Sequence, residues 1–310
     1  MIKIVGIGAN VHDTLITVSE FPREDTKVKC ASLCESGGGP CATGLAAASV
    51  LGAKSAYIGA LADDASGKFL LSDMERFGVA TEFISISKNA SSFASYILLN
   101  AQNATRTCVF NKENLPVFQI DEKAERAIAQ ADILMVDGNE LQNAVKGAEI
   151  ARKNSTKVLY DAGGLYKNTE RLLRLTDILI PSEEFALGFT GKDSAEDAAR
   201  ALFEEFSPDV TVITQGKKGG ILFDGETIKA YPAFSVDAVD SNGAGDVFHG
   251  AFAFALTKGF TYYDCCVFAS AVSALKCTRV GARKAVPSYG EAIKFLKERG
   301  HNEFKENMER

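Results

Sequence analysis

The most informative stretch of the chain reads Asp240-Ser241-Asn242-Gly243-Ala244-Gly245-Asp246-Val247-Phe248-His249-Gly250, and it opens an apolar segment that predicts a helix to about Thr257. Three small residues at the start of a helix leave backbone N–H groups unobstructed, and the helix dipole favours an anion there. Asp246 falls in the first turn, where its carboxylate can take a proton from an attacking hydroxyl. The same residues fit a glycine-rich cap with a purely structural aspartate, so spacing alone leaves both interpretations open.

Two further glycine-rich elements adjoin predicted secondary structure. Residues 37–39 are three glycines ahead of a small-residue helical pattern at 44–51, and consecutive glycines let the backbone approach a hydroxyl-rich ligand closely. Residues 214–220 combine glycines with two lysines after a predicted strand, a composition that can meet a phosphate chain. Either element can also be an ordinary turn. The sequence contains no P-loop, no complete dinucleotide fingerprint, and neither HExxH nor GxSxG.

From about residue 121 the chain alternates predicted strands and helices. Short apolar runs at 132–136, 157–160, 177–180 and 209–214 predict strands, with helical segments between them. This alternation indicates a parallel sheet covered by helices on both faces, which binds ligands at the carboxyl ends of its strands. We therefore predict an α/β protein with a central, mostly parallel sheet flanked by helices.

Two earlier segments have a different pattern. Residues 11–35 and 88–112 are mixed polar and β-branched with period-two stretches, which is typical of hairpins. No linker or repeat separates them from the rest, so we predict one domain over residues 1–310 with a small β-sheet lid formed by these two excursions. A sheet too small to bury both faces alone predicts closure over a substrate or pairing with a second chain, and we expect a homodimer through the lid.

Composition excludes several classes of function. The 310 residues carry 34 Lys+Arg against 40 Asp+Glu, a formal net charge of −6, which argues against a surface for nucleic-acid phosphates. No stretch approaches the roughly 18 uncharged apolar residues of a membrane span. The seven cysteines form no CxxC pair and indicate reduced thiols rather than a zinc site. We expect a cytoplasmic protein with no nucleic-acid or membrane partner.

The order of these elements resembles the ribokinase or PfkB family of carbohydrate kinases over nearly the whole chain. Residues 240–246 resemble the family's DTxGAGD signature, with Ser241 in place of threonine. Further matching stretches are Gly38-Gly39-Pro40-Cys41-Ala42-Thr43, residues 58–67, Thr214-Gln215-Gly216 with Gly219, and residues 278–282. The resemblance implies a ribokinase-like fold and an ATP-dependent kinase that phosphorylates a hydroxymethyl oxygen of a small carbohydrate.

The resemblance also implies roles for individual residues. Asp246 would be the base, and the amides of Gly243, Ala244 and Gly245 would stabilise the transferring phosphoryl group beside Mg²⁺. The residues expected to bind the sugar are Asp13, near the end of the first strand, Gly38, Gly39 and Thr43. The residues expected along ATP are Ser182, Glu183, Thr214, Gly216 and Gly219. Asp240 and Ser241 fall where some members bind a monovalent cation such as K⁺.

Two departures from the family pattern concern the substrate and the metal. Thr43 stands where many members have an asparagine facing the sugar, and Ser182-Glu183-Glu184-Phe185 stands where the family has NxxE, so Glu183 would reach magnesium only through water. The motifs look most like the branch containing sulfofructose kinases, with ketohexokinases more distant. On that branch Arg106 or Asn139 would bind an anionic tail of a ketose, although Arg106 also fits an ordinary exposed strand position.

A ketose kinase is thus the leading hypothesis, and two alternatives stay open. A nucleoside kinase would share the fold and the base, but it needs an aromatic stacking surface, which Phe93, Tyr96 and Phe110 would have to supply from the lid. A catalytically silent sugar sensor would keep the fold without turnover. The intact Gly-Ala-Gly-Asp sequence ending at Asp246 argues against that alternative.

Overall fold

The computed structural model describes residues 1–103, 105–112 and 114–304. Its strands are β1 (Ile4–Ile7), β2 (Val11–Val18), β3 (Ser32–Gly38), β4 (Ser55–Ala62), β5 (Ala80–Ser87), β6 (Ala94–Asn100), β7 (Arg106–Asn111), β8 (Ile133–Val136), β9 (Lys157–Ala162), β10 (Ile178–Pro181), β11 (Val210–Thr214), β12 (Gly220–Phe223) and β13 (Ile228–Tyr231). Its helices are α1 (Pro40–Val50), α2 (Ala65–Arg76), α3 (Glu122–Gln130), α4 (Leu141–Lys153), α5 (Glu170–Leu173), α6 (Glu183–Thr190), α7 (Ala195–Phe206), α8 (Ala244–Thr257), α9 (Tyr262–Cys277) and α10 (Tyr289–Lys297).

Within these described ranges, the large sheet contains nine strands in the order β13-β12-β11-β10-β9-β8-β1-β4-β5. Neighbours from β11 to β5 run parallel, and β12 and β13 add antiparallel at one edge. Strands β1, β8 and β10 are buried along their whole length, because helices cover both faces of the sheet. The predicted mostly parallel α/β sheet is confirmed, and the four predicted strands correspond to β8, β9, β10 and β11.

Two helical layers enclose the large sheet. Leu45 of α1, Phe252 of α8 and Phe268 of α9 belong to the apolar core on one side. Ile128 of α3 and Leu202 of α7 belong to the core on the other side. Open α/β sheets of this kind bind ligands at the carboxyl ends of their parallel strands.

The remaining four strands form a separate sheet in the order β3-β2-β6-β7, which we call the lid sheet. It comes from the two predicted excursions, and β3 extends the first of them to Gly38. Ala104, inside the second predicted excursion, lies outside the described residues. Strands β2 and β3 pair antiparallel, as do β6 and β7, but β2 and β6 join the two hairpins in parallel. Asp13 lies inside β2 of the lid sheet, so the prediction that it lies near the end of the first strand is wrong: β1 ends at Ile7.

The prediction that no segment spans a membrane can be compared with the helices of the structure. In the parts of the chain that the structure describes, every helix is too short or too polar to cross a bilayer.

Candidate active site

The start of α8 forms the centre of the site. Gly243 caps the helix with φ of 73°, a left-handed conformation that glycine adopts without strain. A Cβ added at Gly243 would collide with the Cβ of Ala282, and one added at Gly245 would meet no described atom within 4 Å. The amide of Ala244 donates to the carbonyl oxygen of Ser241 over 3.2 Å, so one of the three amides expected to face a phosphoryl group is engaged in the turn. Open space therefore lies in front of Gly245.

Asp246 lies half-buried in the first turn of α8. Burial raises the pKa of its carboxyl to about 7, and the negative charges of Asp161 and Asp137 act in the same direction. His249 and Arg283 oppose that rise through their positive charge. A carboxyl group with a pKa close to neutrality is suited to proton transfer at physiological pH.

His249 lies one turn further along α8 and is buried. Its Nδ1 lies 2.7 Å from the carbonyl oxygen of Gly245 and 3.2 Å from Oδ2 of Asp161, and its Nε2 lies 3.0 Å from the carbonyl oxygen of Ile180. Burial lowers the pKa of His249, whereas the two carbonyl groups raise it. These contacts fix the first turn of α8, which carries Asp246, against the carboxyl ends of β9 and β10.

The glycine turn before α1 meets Asp13 of the lid sheet. Asp13 is buried, its Oδ1 accepts a hydrogen bond from Ser95 Oγ over 2.6 Å, and burial raises its pKa. A Cβ at Gly38 would collide with Oδ2 of the Asp13 carboxylate, and Gly39 has φ of 90°. The structure thus brings together three of the residues predicted to bind a sugar: Asp13, Gly38 and Gly39.

Close packing of two helices connects this turn to Asp246. A Cβ added at Gly250 of α8 would collide with the backbone of Gly44 in α1, and one added at Gly44 would lie 3.2 Å from the backbone oxygen of Asp246. Glycine at both positions lets the helix backbones approach closely. As a result, the turn at residues 37–39 and the first turn of α8 lie at one edge of the sheet.

A cavity of about 610 Å³ opens on the other side of the α8 N-terminus. Its lining includes Thr214, Gly216, Gly219, Ser241 and Gly245. Helix α9 contributes Ser273, Ala274 and Cys277 to the wall. The cavity therefore contains three of the residues predicted to lie along ATP, and it reaches the open space at Gly245.

Comparison with known proteins assigns this arrangement to a family. The model of the pfkB family carbohydrate kinases matches residues 1–288. The chain belongs to this family. It is 26% identical over 299 residues to a ribokinase from Haemophilus influenzae, a match that covers 94% of this chain and 97% of the relative. It is 25% identical over 290 residues to a ketohexokinase from Mus musculus, with 89% and 96% covered.

A solved structure shows the same fold. Arabidopsis thaliana ribokinase complexed with ribose and ATP superposes with a TM-score of 0.87 at 23% sequence identity, covering 96% of this chain and 99% of that one. The ribokinase-like fold predicted from the sequence is confirmed, and this pfkB family protein is an ATP-dependent carbohydrate kinase.

Sequence reasoning missed Arg283, which is buried at 2% exposure beneath the glycine turn of the kinase. Its Nη1 donates to Asp73 Oδ2 over 2.6 Å, and its Nη2 donates to Asn10 Oδ1 over 3.0 Å and to the carbonyl oxygen of Gly38 over 2.5 Å. A Cβ at Gly37 would collide with both the Arg283 guanidinium and the Asp73 carboxylate. Arg283 therefore fixes the predicted sugar-binding turn through the carbonyl oxygen of Gly38. Its position directly after residues 278–282, which match the family pattern, could have pointed to it.

Asp137 also escaped attention as a site residue. Its Oδ2 accepts from the amides of Ala9 (2.8 Å) and Cys41 (3.0 Å), and its Oδ1 accepts from the amide of Asn139 (2.9 Å). One buried carboxylate at the carboxyl end of β8 thus joins the turn after β1, the start of α1 and the turn after β8. The signal in the sequence was an aspartate directly after an apolar strand.

Several predicted residues have other partners in the structure. Thr43 is fully buried, and its hydroxyl lies 3.5 Å from Nε of Arg283. The hydroxyl of Ser182 caps α6 by accepting from the amide of Phe185 over 3.1 Å. Glu183 accepts from Gln215 Nε2 over 2.7 Å. Asn139 donates to the Tyr166 hydroxyl over 3.1 Å and lines a separate cavity of about 240 Å³.

Arg106 connects the lid sheet to the centre of the site. It is exposed on β7, and its Nη1 donates to Asn242 Oδ1 over 3.1 Å. The strand register places Arg106 and Phe110 on the face of the lid sheet that carries Asp13, and Tyr96 on the opposite face. Arg106 is thus an exposed strand residue whose side chain reaches the loop before α8.

Proposed function

We propose that this kinase transfers the γ-phosphoryl group of ATP to a primary hydroxyl of a ketose, with Asp246 as the general base. The observation that carries the proposal is that Asp246 directly follows Gly245 of the cavity lining, lies through its backbone oxygen beside Gly44 of α1, and has a pKa raised to about 7. An aspartate that only caps a helix does not need a raised pKa, whereas a general base works best with a pKa near the pH of the reaction.

In the proposed reaction, the sugar hydroxyl oxygen attacks the γ-phosphorus while its proton passes to the Asp246 carboxylate. The new O–P bond forms as the bond to the β,γ-bridging oxygen breaks, and ADP leaves. The amides of Gly243 and Gly245 and the dipole of α8 stabilise the charge on the transferring group. Asp13 and the carbonyl and amide groups of the glycine turn orient the hydroxyls of the sugar.

Magnesium fits this site as a metal held mainly by phosphate and water. Among residues 1–103, 105–112 and 114–304, no three His, Cys, Asp or Glu side chains are grouped to hold a metal. Mg²⁺ ordinarily keeps several waters and uses one or two carboxylates together with substrate phosphates. Glu183, fixed by Gln215, is the residue we propose to reach it through water. When bound, the metal neutralises charge on the phosphate oxygens.

Polar groups around Asp13 favour a small, hydroxyl-rich substrate. Asn10 is 4% exposed, its Oδ1 is bonded to Arg283, and its Nδ2 has no hydrogen-bond partner among the described residues. A buried amide N–H₂ of this kind is costly unless a ligand accepts its hydrogen bond. For a nucleoside, the face that carries Asp13 offers Phe110, and the Phe93 ring lies 5.9 Å from it, while Tyr96 is on the other face. The Asn10 amide therefore favours the ketose, whereas the Phe93–Phe110 pair is the feature that a nucleoside would use.

A coupled assay of ADP release tests the proposal against a panel of fructose, sulfofructose, ribose, other aldoses and nucleosides. We expect a ketose to give the highest kcat/KM and Asp246→Asn to abolish most of the turnover on it. A nucleoside as the best substrate would replace the ketose proposal with the nucleoside alternative. ATP turnover on no member of the panel, with wild type and Asp246→Asn indistinguishable, would support the silent sensor.

Arg106 is the residue that we propose to bind an anionic tail, if the ketose has one. It lies on the face of the lid sheet that carries Asp13, and guanidinium groups bind sulfonate and phosphate well. Arg106→Gln is expected to raise KM for sulfofructose while leaving KM for fructose nearly unchanged. Equal effects on both sugars would contradict this role.

The opposite face of the lid sheet supports the homodimer. Leu33, Tyr96 and Val109 share that face by register, and each is more than half exposed. Three exposed apolar side chains on one small sheet are typical of a surface covered by a partner. We propose that a second copy of the chain covers them, which light scattering on the purified protein tests.

A further inference from the structure

Lys276 is a buried lysine in the last turn of α9, and it has no place in the mechanism described above. Its side chain is 0% exposed, and its Nζ donates to the backbone oxygen of Asp240 over 2.7 Å. The same Nζ lies 3.9 Å from Oδ1 of the Asp240 carboxylate. Lysine is rarely buried completely unless its charge is paired, and the two oxygens of Asp240 supply that pairing here.

Asp240 is the residue at which the family resemblance predicts a monovalent cation, and its oxygens already have partners. Its Oδ1 accepts from the amide of Asn242 and its Oδ2 from the amide of Gly281, each over 2.8 Å. Its backbone oxygen accepts from Lys276. A further cation at this carboxylate would share its oxygens with the ammonium group and would be repelled by it.

Neighbouring carbonyl groups are also engaged. The carbonyl oxygen of Cys277 accepts from the amides of Val239 and Asp240, and that of Lys276 accepts from the amide of Arg279 over 3.1 Å. Monovalent cations are bound by sets of oxygens that replace their water, so a site whose oxygens are hydrogen-bonded to the protein is poorly suited to them. The oxygens of Asp240, Lys276 and Cys277 therefore do not fit a bound K⁺.

We propose that the ammonium group of Lys276 takes the place of the monovalent cation, so that this kinase works without K⁺. The proposal rests on the role proposed above for Gly243 and Gly245. Lys276 holds Asp240, and the Asp240 carboxylate holds the amide of Asn242, directly before Gly243. The fixed charge therefore supports the turn that aims the Gly243 and Gly245 amides, which makes Lys276 a positioning residue.

The position of the charge agrees with this role. Lys276 lies at the carboxyl end of α9, where the helix dipole favours a cation. Burial lowers the pKa of Lys276, and the neighbouring Asp240 carboxylate opposes that change. A cation built into the chain is present at every ionic composition, whereas a bound ion depends on its concentration.

Cation dependence of activity and of thermal stability tests the proposal. We would compare KCl with tetramethylammonium chloride at about 0.1 M, so that electrostatic screening stays constant. Wild type is expected to differ by less than about twofold in kcat/KM, and its melting temperature without substrates should be the same in both salts. A K⁺-specific rise in either quantity for the wild type would overturn the proposal.

Two variants separate charge from packing. Lys276→Ala removes the charge and leaves space for an ion, so it should lose at least about tenfold in kcat/KM in tetramethylammonium, with recovery of activity and a rise in melting temperature in K⁺. Lys276→Met removes the charge but fills the space, so its loss should persist in K⁺. Lys284→Ala, which removes an exposed lysine from the following loop, should behave like wild type.

Loss of activity in Lys276→Ala without rescue by K⁺ would overturn the proposal. Full activity in Lys276→Met would show that Lys276 has only a packing role and would also overturn it. If neither variant folds, the comparison of KCl with tetramethylammonium chloride on the wild type still tests whether the kinase depends on K⁺. If no sugar is phosphorylated, the melting temperatures still report whether K⁺ binds to wild type and to Lys276→Ala. A failure of the proposed reaction is therefore distinguishable from a failure of this inference.

Discussion

The pH dependence of the reaction is the most direct test of Asp246, because burial raises the pKa of its carboxyl to about 7. Asp246 acts as a base only when it is ionised. With a pKa of about 7, about 9% of the carboxyl is ionised at pH 6 and about 91% at pH 8. The value of kcat/KM should therefore rise about tenfold between these two pH values and level off above them.

The measurement is kcat/KM for the best sugar from pH 5 to about 9 at saturating ATP, since this quantity reports ionisations of the enzyme before the sugar binds. Asp246→Asn should remove the midpoint near 7 and lower turnover by about 10²-fold or more. Asp161→Asn serves as a matched control, since it neutralises the charge that, after burial, does most to raise the pKa of Asp246. Its pH profile should keep its shape with a midpoint at lower pH.

Two results would refute this reasoning. A flat profile from pH 5 to about 9 in the wild type would mean that no group with a pKa near neutrality controls the reaction. A midpoint near 7 that persists in Asp246→Asn would assign the ionisation to another group, such as His249.

Three further predictions concern the support of the site. Arg283→Met should destabilise the protein by about 3–5 kcal/mol in urea unfolding because it leaves the Asp73 carboxylate buried and unpaired, and Asp73→Leu in the same chain should restore part of that loss. Gly38→Ala should raise KM for the sugar with little change in KM for ATP because a Cβ there collides with the Asp13 carboxylate; equal effects on both would place the damage elsewhere. Val109→Glu should halve the mass measured by light scattering because it puts a charge on the exposed apolar face of the lid sheet, and an unchanged mass would exclude this face as the dimer interface.

Much of the α/β body could be predicted because its signals are local. Strands β8, β10 and β11 are short apolar runs between helical segments. Such a run predicts a buried strand whatever its position in the sheet. The strand pairing of the lid sheet was harder to predict from the sequence. Its four strands were recognisable, but the parallel pairing of β2 with β6 joins segments about eighty residues apart, and period-two alternation says nothing about which strands become neighbours.

The candidate site shows the same division between local and distant information. Glycines 37–39 and 243–245 could be singled out because closely spaced glycines suggest close backbone approach. Ser182 was expected to lie along ATP, whereas in the structure its hydroxyl caps α6. The engagement of the Ala244 amide with Ser241 depends on the conformation of the turn, which the residue types do not fix.

Charged residues inside apolar segments carried more information than sequence reasoning took from them. Lys276 ends a helix in which most residues from Tyr262 onward are apolar, and a lysine in such a helix must pair with something when the helix is buried. The sequence cannot name that partner because Asp240 lies 36 positions away. Arg283 presents the same problem at longer range, since Asp73 lies 210 positions away. A buried cation in this fold can therefore be anticipated from the sequence, but its function follows only from the carboxylate that it meets.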